Sequence, residues 1–127
     1  MVTQVAKGSG YLTAFKAVTV LNTLAVLVQA VSAGMLLSGG GSGLHGTGAL
    51  AVHVLGLIQL VTAVLLWRPG RGPGWPALAA LVVLLAGFVQ SALGGSGVVL
   101  VHVPLGMAIF GLSVWLLVWS YSPRRTS

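Results

Sequence analysis

The chain has 127 residues, of which 57% are hydrophobic and only 5% are charged, and its mean hydropathy is +1.05. Soluble domains are about one-quarter charged, so this composition argues against a soluble globular protein and indicates an integral membrane protein. The six Lys and Arg residues are accompanied by no Asp, Glu or Cys, which excludes paired-carboxylate catalysis, an Asp-oriented triad, disulfides and thiolate metal sites.

Four apolar segments reach or approach the ~20 residues that cross the hydrocarbon core of a bilayer. They cover residues 11–37, 48–67, 75–93 and 97–121. Short connections join antiparallel neighbours in helical bundles. We therefore expect an all-α membrane protein, a single domain in which four transmembrane helices form an up-down bundle.

The basic residues all fall on one side of this predicted bundle, at the chain ends and in the second connection: Lys7, Lys16, Arg68, Arg71, Arg124 and Arg125. The positive-inside rule places that side and both termini in the cytoplasm, with the protein in the plasma membrane. A nucleic-acid site needs basic residues gathered on one accessible face, whereas these flank the spans. The expected partner is the lipid bilayer rather than nucleic acid, and the apolar surface is compatible with a homo-oligomer.

The two halves of the chain resemble each other. Span one carries Gln29 late in its length, as span three carries Gln90, and GALAVHVLG in span two matches GVVLVHVPLG in span four. This alignment places His53 on His102. It predicts a bundle built from two similar helical hairpins, related by a pseudo-twofold axis along the membrane normal.

His53 and His102 are the best candidates for a functional pair. Each lies five residues into its span, so both imidazoles are expected at the same depth, near the outer face. Spans two and four are diagonal in a cyclic bundle, roughly 11 to 14 Å apart if neighbours pack at 8 to 10 Å. That gap suits a flat group between two imidazoles, and we predict haem b with its iron bound by His53 and His102.

Small and polar residues near the pair fit such a site. Gly56 and Gly106 lie on the same helix faces as the histidines, where missing side chains leave room for a porphyrin. Close helix packing is the competing explanation for both glycines. Gln29 and Gln90, or backbone carbonyls freed near Pro104, are the expected hydrogen-bond partners of the ligand imidazoles.

His45 falls in the predicted outer loop, residues 38–47, which is rich in glycine. A solvated surface role is the expectation there. Two other roles stay open: contact with a haem propionate, and membership of a copper or zinc site.

The run VQAVSAGMLLSGGGSGL, the His-containing second span, FVQSALGG and VLVHVPLGMAIFGLSVWLL together resemble the repeated four-helix unit of the haem A synthase family. That family has two such bundles per chain, so the resemblance implies a half-size relative. It also implies haem held by histidines of the second and fourth helices, positions that His53 and His102 occupy. Val54 follows His53 where the family commonly has Arg, and the chain lacks Glu and Cys, so haem A synthesis itself is not implied.

The residues support three hypotheses for function. The first is a bis-histidine haem b protein that transfers electrons or senses redox state near the outer face, with a quinol or a redox protein as partner. Ligation on both axial sides leaves no open iron position for a substrate, which favours electron transfer over catalysis. The second is a cofactor-free scaffold or assembly subunit, and the third is a copper or zinc protein that also uses His45.

Overall fold

The computed structural model describes residues 2–123, with side chains from Gly10 onward. Within that range the chain forms four helices: α1 (Val2–Leu37), α2 (Gly43–Trp67), α3 (Trp75–Gly95) and α4 (Val99–Tyr121). Each helix contains an apolar segment of 21 to 28 residues, long enough to cross a bilayer. The predicted all-α membrane protein with four spans is confirmed.

The helices are arranged in a ring. Consecutive helices pack side by side and α1 also packs on α4, so α2 and α4 face each other across one diagonal. We call the end with the α1–α2 and α3–α4 connections the histidine end. The opposite end, with Arg68 and Arg71 in the α2–α3 connection, is the charged end. Arg124, Arg125 and the side chain of Lys7 lie outside the described residues.

The predicted loop over residues 38–47 is wrong in its second half, because α2 begins at Gly43 rather than at Gly48. Glycine weakens a helix in water. At a membrane, however, backbone groups have few partners outside the helix, and α2 continues through its glycines. Gly39, with a φ of +88°, lies in the turn after α1. His45 therefore lies in the first turn of α2 and not in a loop.

The charged end is filled by large side chains. Phe15, Leu66 and Leu116 are almost completely buried where α1, α2 and α4 meet. Trp75 opens α3, and its ring lies 4.7 Å from the ring of Trp119 on α4. Dispersion contacts of this kind hold membrane helices together, because lipid tails are as apolar as the side chains themselves.

A buried polar layer follows, towards the histidine end. Asn22 of α1 donates a hydrogen bond of 2.5 Å to Oε1 of Gln59 on α2, and Gln59 donates one of 3.2 Å to Oγ1 of Thr19. Thr23 donates to the backbone carbonyl of Ser113 on α4. Polar groups in hydrocarbon need internal partners, so these bonds fix the register of α1 against α2 and α4.

Candidate functional site

A cavity of about 780 Å³ lies at the histidine end, lined by all four helices and by all three histidines. Its volume falls within the range of roughly 300 to 1,000 Å³ found for cofactor and ligand sites. Val26, Val83 and Ile109 form a small apolar cluster between the cavity and the polar layer. The cavity is therefore closed towards the charged end.

His102 is fixed by two reciprocal bonds to α3. Its Nδ1 lies 2.9 Å from the backbone carbonyl of Gln90, and the Gln90 side chain donates 2.7 Å to the carbonyl of His102. A carbonyl oxygen only accepts hydrogen bonds, so Nδ1 of His102 carries a proton and Nε2 is the ring nitrogen left for another partner. A Cβ added to Gly94 would lie 2.8 Å from Cε1 of His102, which requires glycine at that position.

His45 is held in the same way by α1. Its Nδ1 lies 3.0 Å from Oγ of Ser32, which is also within hydrogen-bond distance of the carbonyl of Gln29. A hydroxyl both donates and accepts, so Ser32 holds the His45 ring at Nδ1 without fixing its tautomer. With its amide nitrogen turned towards α2, Gln29 donates to the His45 carbonyl at 3.0 Å and to Nδ1 of His45 at 3.3 Å, and it accepts from Ala49 N–H at 3.2 Å.

Small residues opposite the two glutamines make these contacts possible. A Cβ on Gly48 would collide with the Gln29 amide, and one on Gly106 would lie 2.8 Å from Nε2 of Gln90. Gln29 with His45 and Gln90 with His102 thus form two equivalent pairs, one in each helical hairpin. The structural counterpart of His102 is His45, whereas the sequence alignment had selected His53.

The rings of His45 and His102 face each other across the α2–α4 diagonal. Their centroids are 6.0 Å apart and their planes are inclined by 69°. Each ring has Nδ1 bound to the protein. Among the described residues, no hydrogen bond engages either Nε2. Two imidazoles, each held at Nδ1, are therefore brought together in one cavity.

His53 has different surroundings. Its ring stacks on Phe88 of α3, with centroids 4.4 Å apart and planes only 9° apart. Its Nε2 lies 3.3 Å from Oγ of Ser91. A Cβ on Gly87 would lie 3.6 Å from its Cδ2. His53 lines the cavity, but the contacts that hold it lie between α2 and α3.

The structure does not place His53 level with His102. On α3, the residues that contact His53 lie nearer the charged end than the residues that contact His102. The offset is about one helical turn, ~5 Å. The expectation of equal depth for these two rings is therefore wrong. Its cause is the assumed start of the second span, since counting from Gly43 puts His53 more than two turns into α2.

The other predicted site residues are divided between the cavity and the packed interior. Gln29, Gln90 and Gly106 line the cavity. Gly56 is buried below it, where a Cβ would lie 3.3 Å from Leu84, so its small size serves contact between α2 and α3. Gln90 carries one buried oxygen, Oε1, without a hydrogen-bond partner in the described part of the chain.

Sequence reasoning missed Ser32, Ser91, Phe88 and Gly94. Ser32 and Ser91 each follow a glutamine closely in the chain, and that shared neighbourhood was the available signal. Phe88 and Gly94 gave no signal of their own, because aromatic and glycine residues are common throughout membrane helices. Their roles depend on which helix faces meet.

Neither the family models, nor the curated proteins, nor the solved structures contain a match to this chain. Within the described residues, no group of three or more His, Cys, Asp or Glu side chains gathers that could hold a metal ion. The site is therefore characterised by its own geometry: two imidazoles held through Nδ1 in a largely apolar cavity, and a third histidine in its wall.

Proposed function

We propose that this cavity binds haem b with His45 and His102 as the axial ligands, and that the protein transfers electrons or senses redox state. The observation that carries the proposal is the approach of two imidazoles on diagonal helices, each held through Nδ1. A metal-binding histidine usually donates its other ring N–H to a carbonyl, carboxylate or hydroxyl, which fixes the tautomer and the ring orientation. His102 has that arrangement through the Gln90 carbonyl, and Nδ1 of His45 has the Ser32 hydroxyl beside it.

The separation of the rings suits one iron. Imidazole nitrogens bind metal ions at about 2.0 Å, so the centres of two rings that hold one metal ion from opposite sides would lie roughly 6 Å apart. The 6.0 Å between the His45 and His102 centroids agrees with this distance. This pair replaces the pair of His53 and His102 expected from sequence, while haem b stays the proposed cofactor.

The chain's own residues have separable tasks in this proposal. Ser32 and the Gln90 carbonyl hold the two imidazoles with Nε2 available, and Gly94 leaves space for the His102 ring. When bound, haem b supplies a one-electron couple between ferrous and ferric iron. With His45 and His102 both holding the iron, no coordination position would be left for a substrate, which favours electron transfer over chemistry at the iron.

The proposed location follows from charge. Lys16, Arg68 and Arg71 lie towards the charged end of the described structure, and the positive-inside rule assigns that end to the cytoplasm. Both chain termini are then cytoplasmic and the histidine end faces the outer side of the plasma membrane. A quinol in the bilayer or a redox protein at the surface is the proposed electron partner.

The test is an optical spectrum of the protein purified from cells that are supplied with haem. We expect a Soret band and a reduced b-type spectrum, both lost in His45→Ala and in His102→Ala. His53→Ala should retain them and is the matched control. A colourless wild-type protein would favour a cofactor-free scaffold, and stoichiometric copper or zinc would favour a metal site. Loss in His53→Ala but not in His45→Ala would restore the pair expected from sequence.

A further inference from the structure

His53 is the one histidine that the proposed haem ligation does not use. Its ring lines the cavity on one side and stacks on Phe88 on the other. The Phe88 side chain is 53% exposed on a membrane-spanning helix, so it faces lipid. A titratable ring therefore lies in the wall between the cavity and the bilayer.

His53 is bonded through Nε2, whereas the two proposed ligands are bonded through Nδ1. Its Nε2 contacts the hydroxyl of Ser91, an exposed residue one turn after Phe88 on α3 that also lines the cavity. A hydroxyl both donates and accepts, so Ser91 does not fix the tautomer of His53 as the Gln90 carbonyl fixes that of His102. An imidazole with an exchangeable proton and a hydroxyl beside it has the properties of a general base.

We propose that Phe88, Ser91 and His53 form a site for a quinol that enters from the lipid between α2 and α3. This inference rests on the proposed haem site, to which it assigns an electron donor. The quinol ring stacks on the open face of Phe88, as aromatic pairs do at 4.5 to 7 Å. Its apolar tail stays in the bilayer, and one hydroxyl reaches Ser91.

The reaction is a two-electron oxidation of the quinol to the quinone. The O–H bond next to Ser91 breaks as the serine oxygen accepts its proton and the serine proton passes to Nε2 of His53. The second hydroxyl loses its proton to water at the histidine end, and both C–O bonds become C=O bonds. The two electrons would leave singly, and haem b held by His45 and His102 would supply the one-electron oxidant, with a one-electron acceptor removing each electron in turn.

The first experiment measures quinone binding without any electron transfer. A benzoquinone carrying a photoreactive azide is irradiated with the detergent-solubilised protein, with and without haem, and the labelled residues are mapped by mass spectrometry. We expect labelling on α3 around Phe88, prevented by excess duroquinone. Labelling spread over the lipid-facing surface, or unaffected by duroquinone, overturns the inference.

The second experiment measures reduction of the haem by duroquinol, with dithionite as a reductant that needs no site. A general base contributes about 10²-fold or more, so His53→Gln should slow reduction by duroquinol by about that factor. Phe88→Leu should raise the half-saturating duroquinol concentration about 3- to 10-fold through loss of stacking. Val54→Ala, a lipid-facing change beside His53, should leave both quantities unchanged, and reduction by dithionite should be the same in every variant.

The two proposals fail in different ways. If His53→Gln keeps its Soret band and is reduced by duroquinol at the wild-type rate, the quinol site is wrong and the haem proposal stands. If the wild-type protein has no Soret band, the haem proposal fails. The photolabelling result then decides whether a quinone binds at Phe88.

Discussion

The two ends of the bundle differ in how their interiors are filled. At the charged end, Phe15, Leu66 and Leu116 leave almost no exposed surface. At the histidine end, the same four helices enclose a cavity of about 780 Å³ lined by histidines, glutamines and glycines. In lipid, where helix association depends on packing and hydrogen bonds, the filled end and the polar layer above it supply the cohesion that lets the other end stay open.

The largest predicted difference between the two ends is in the free energy of unfolding lost when a leucine is truncated to alanine. Leu116→Ala removes a fully buried side chain at the charged end, and buried Leu→Ala changes cost about 2 to 5 kcal/mol. We expect the free energy of unfolding in mixed micelles to fall by about that amount. Leu27→Ala is the matched control, because Leu27 lines the cavity and is 43% exposed; it should cost less than about 1 kcal/mol. Equal losses of unfolding free energy in Leu116→Ala and Leu27→Ala would contradict the proposed difference between the two ends.

The second predicted effect is smaller and arises at the histidine end. It is a loss of haem affinity rather than a loss of folding stability. Ser32→Ala removes the hydroxyl that holds Nδ1 of His45, and loss of such a partner typically lowers metal affinity 10- to 100-fold, about 1.4 to 2.7 kcal/mol. We expect haem retention to fall by that factor while the unfolding free energy of the haem-free protein changes little. The haem affinity is measured by titrating the protein with haem and following the Soret band.

The control for this change is Ser38→Ala. Ser38 lies at the same end and bonds only within its own helix segment, to the carbonyl of Gly34. Its haem affinity should match that of the wild type. If Ser32→Ala and Ser38→Ala behave alike, Ser32 has no special role in holding His45.

The number, direction and approximate limits of the helices were predictable from sequence, because a span needs a long apolar run and little else. The start of α2 was not predictable. Glycine-rich segments such as SGLHGTG favour loops in water, and the sequence alone does not say how far membrane packing extends the helix through them. That single difference moved His45 from a loop into a helix.

The composition of the site was more predictable than its pairing. The histidines and glutamines were recognised from their rarity in apolar helices, and Gln90 does lie against His102. Assigning the second imidazole required the depth of each ring, and depth depends on where α2 begins. The alignment of the two halves preferred His53 because valine and glycine neighbours are shared by chance in apolar helices, whereas His45 is marked by a contact with Ser32 that only the fold reveals.

The most direct test of the central claim is electron paramagnetic resonance of the ferric, haem-loaded protein and of its three histidine variants. Two axial imidazoles give a low-spin signal, and loss of either gives a high-spin one. The account predicts a low-spin wild type, conversion to high spin in His45→Ala and His102→Ala, and an unchanged low-spin signal in His53→Ala. A high-spin wild type, or conversion by His53→Ala with none by His45→Ala, would contradict it.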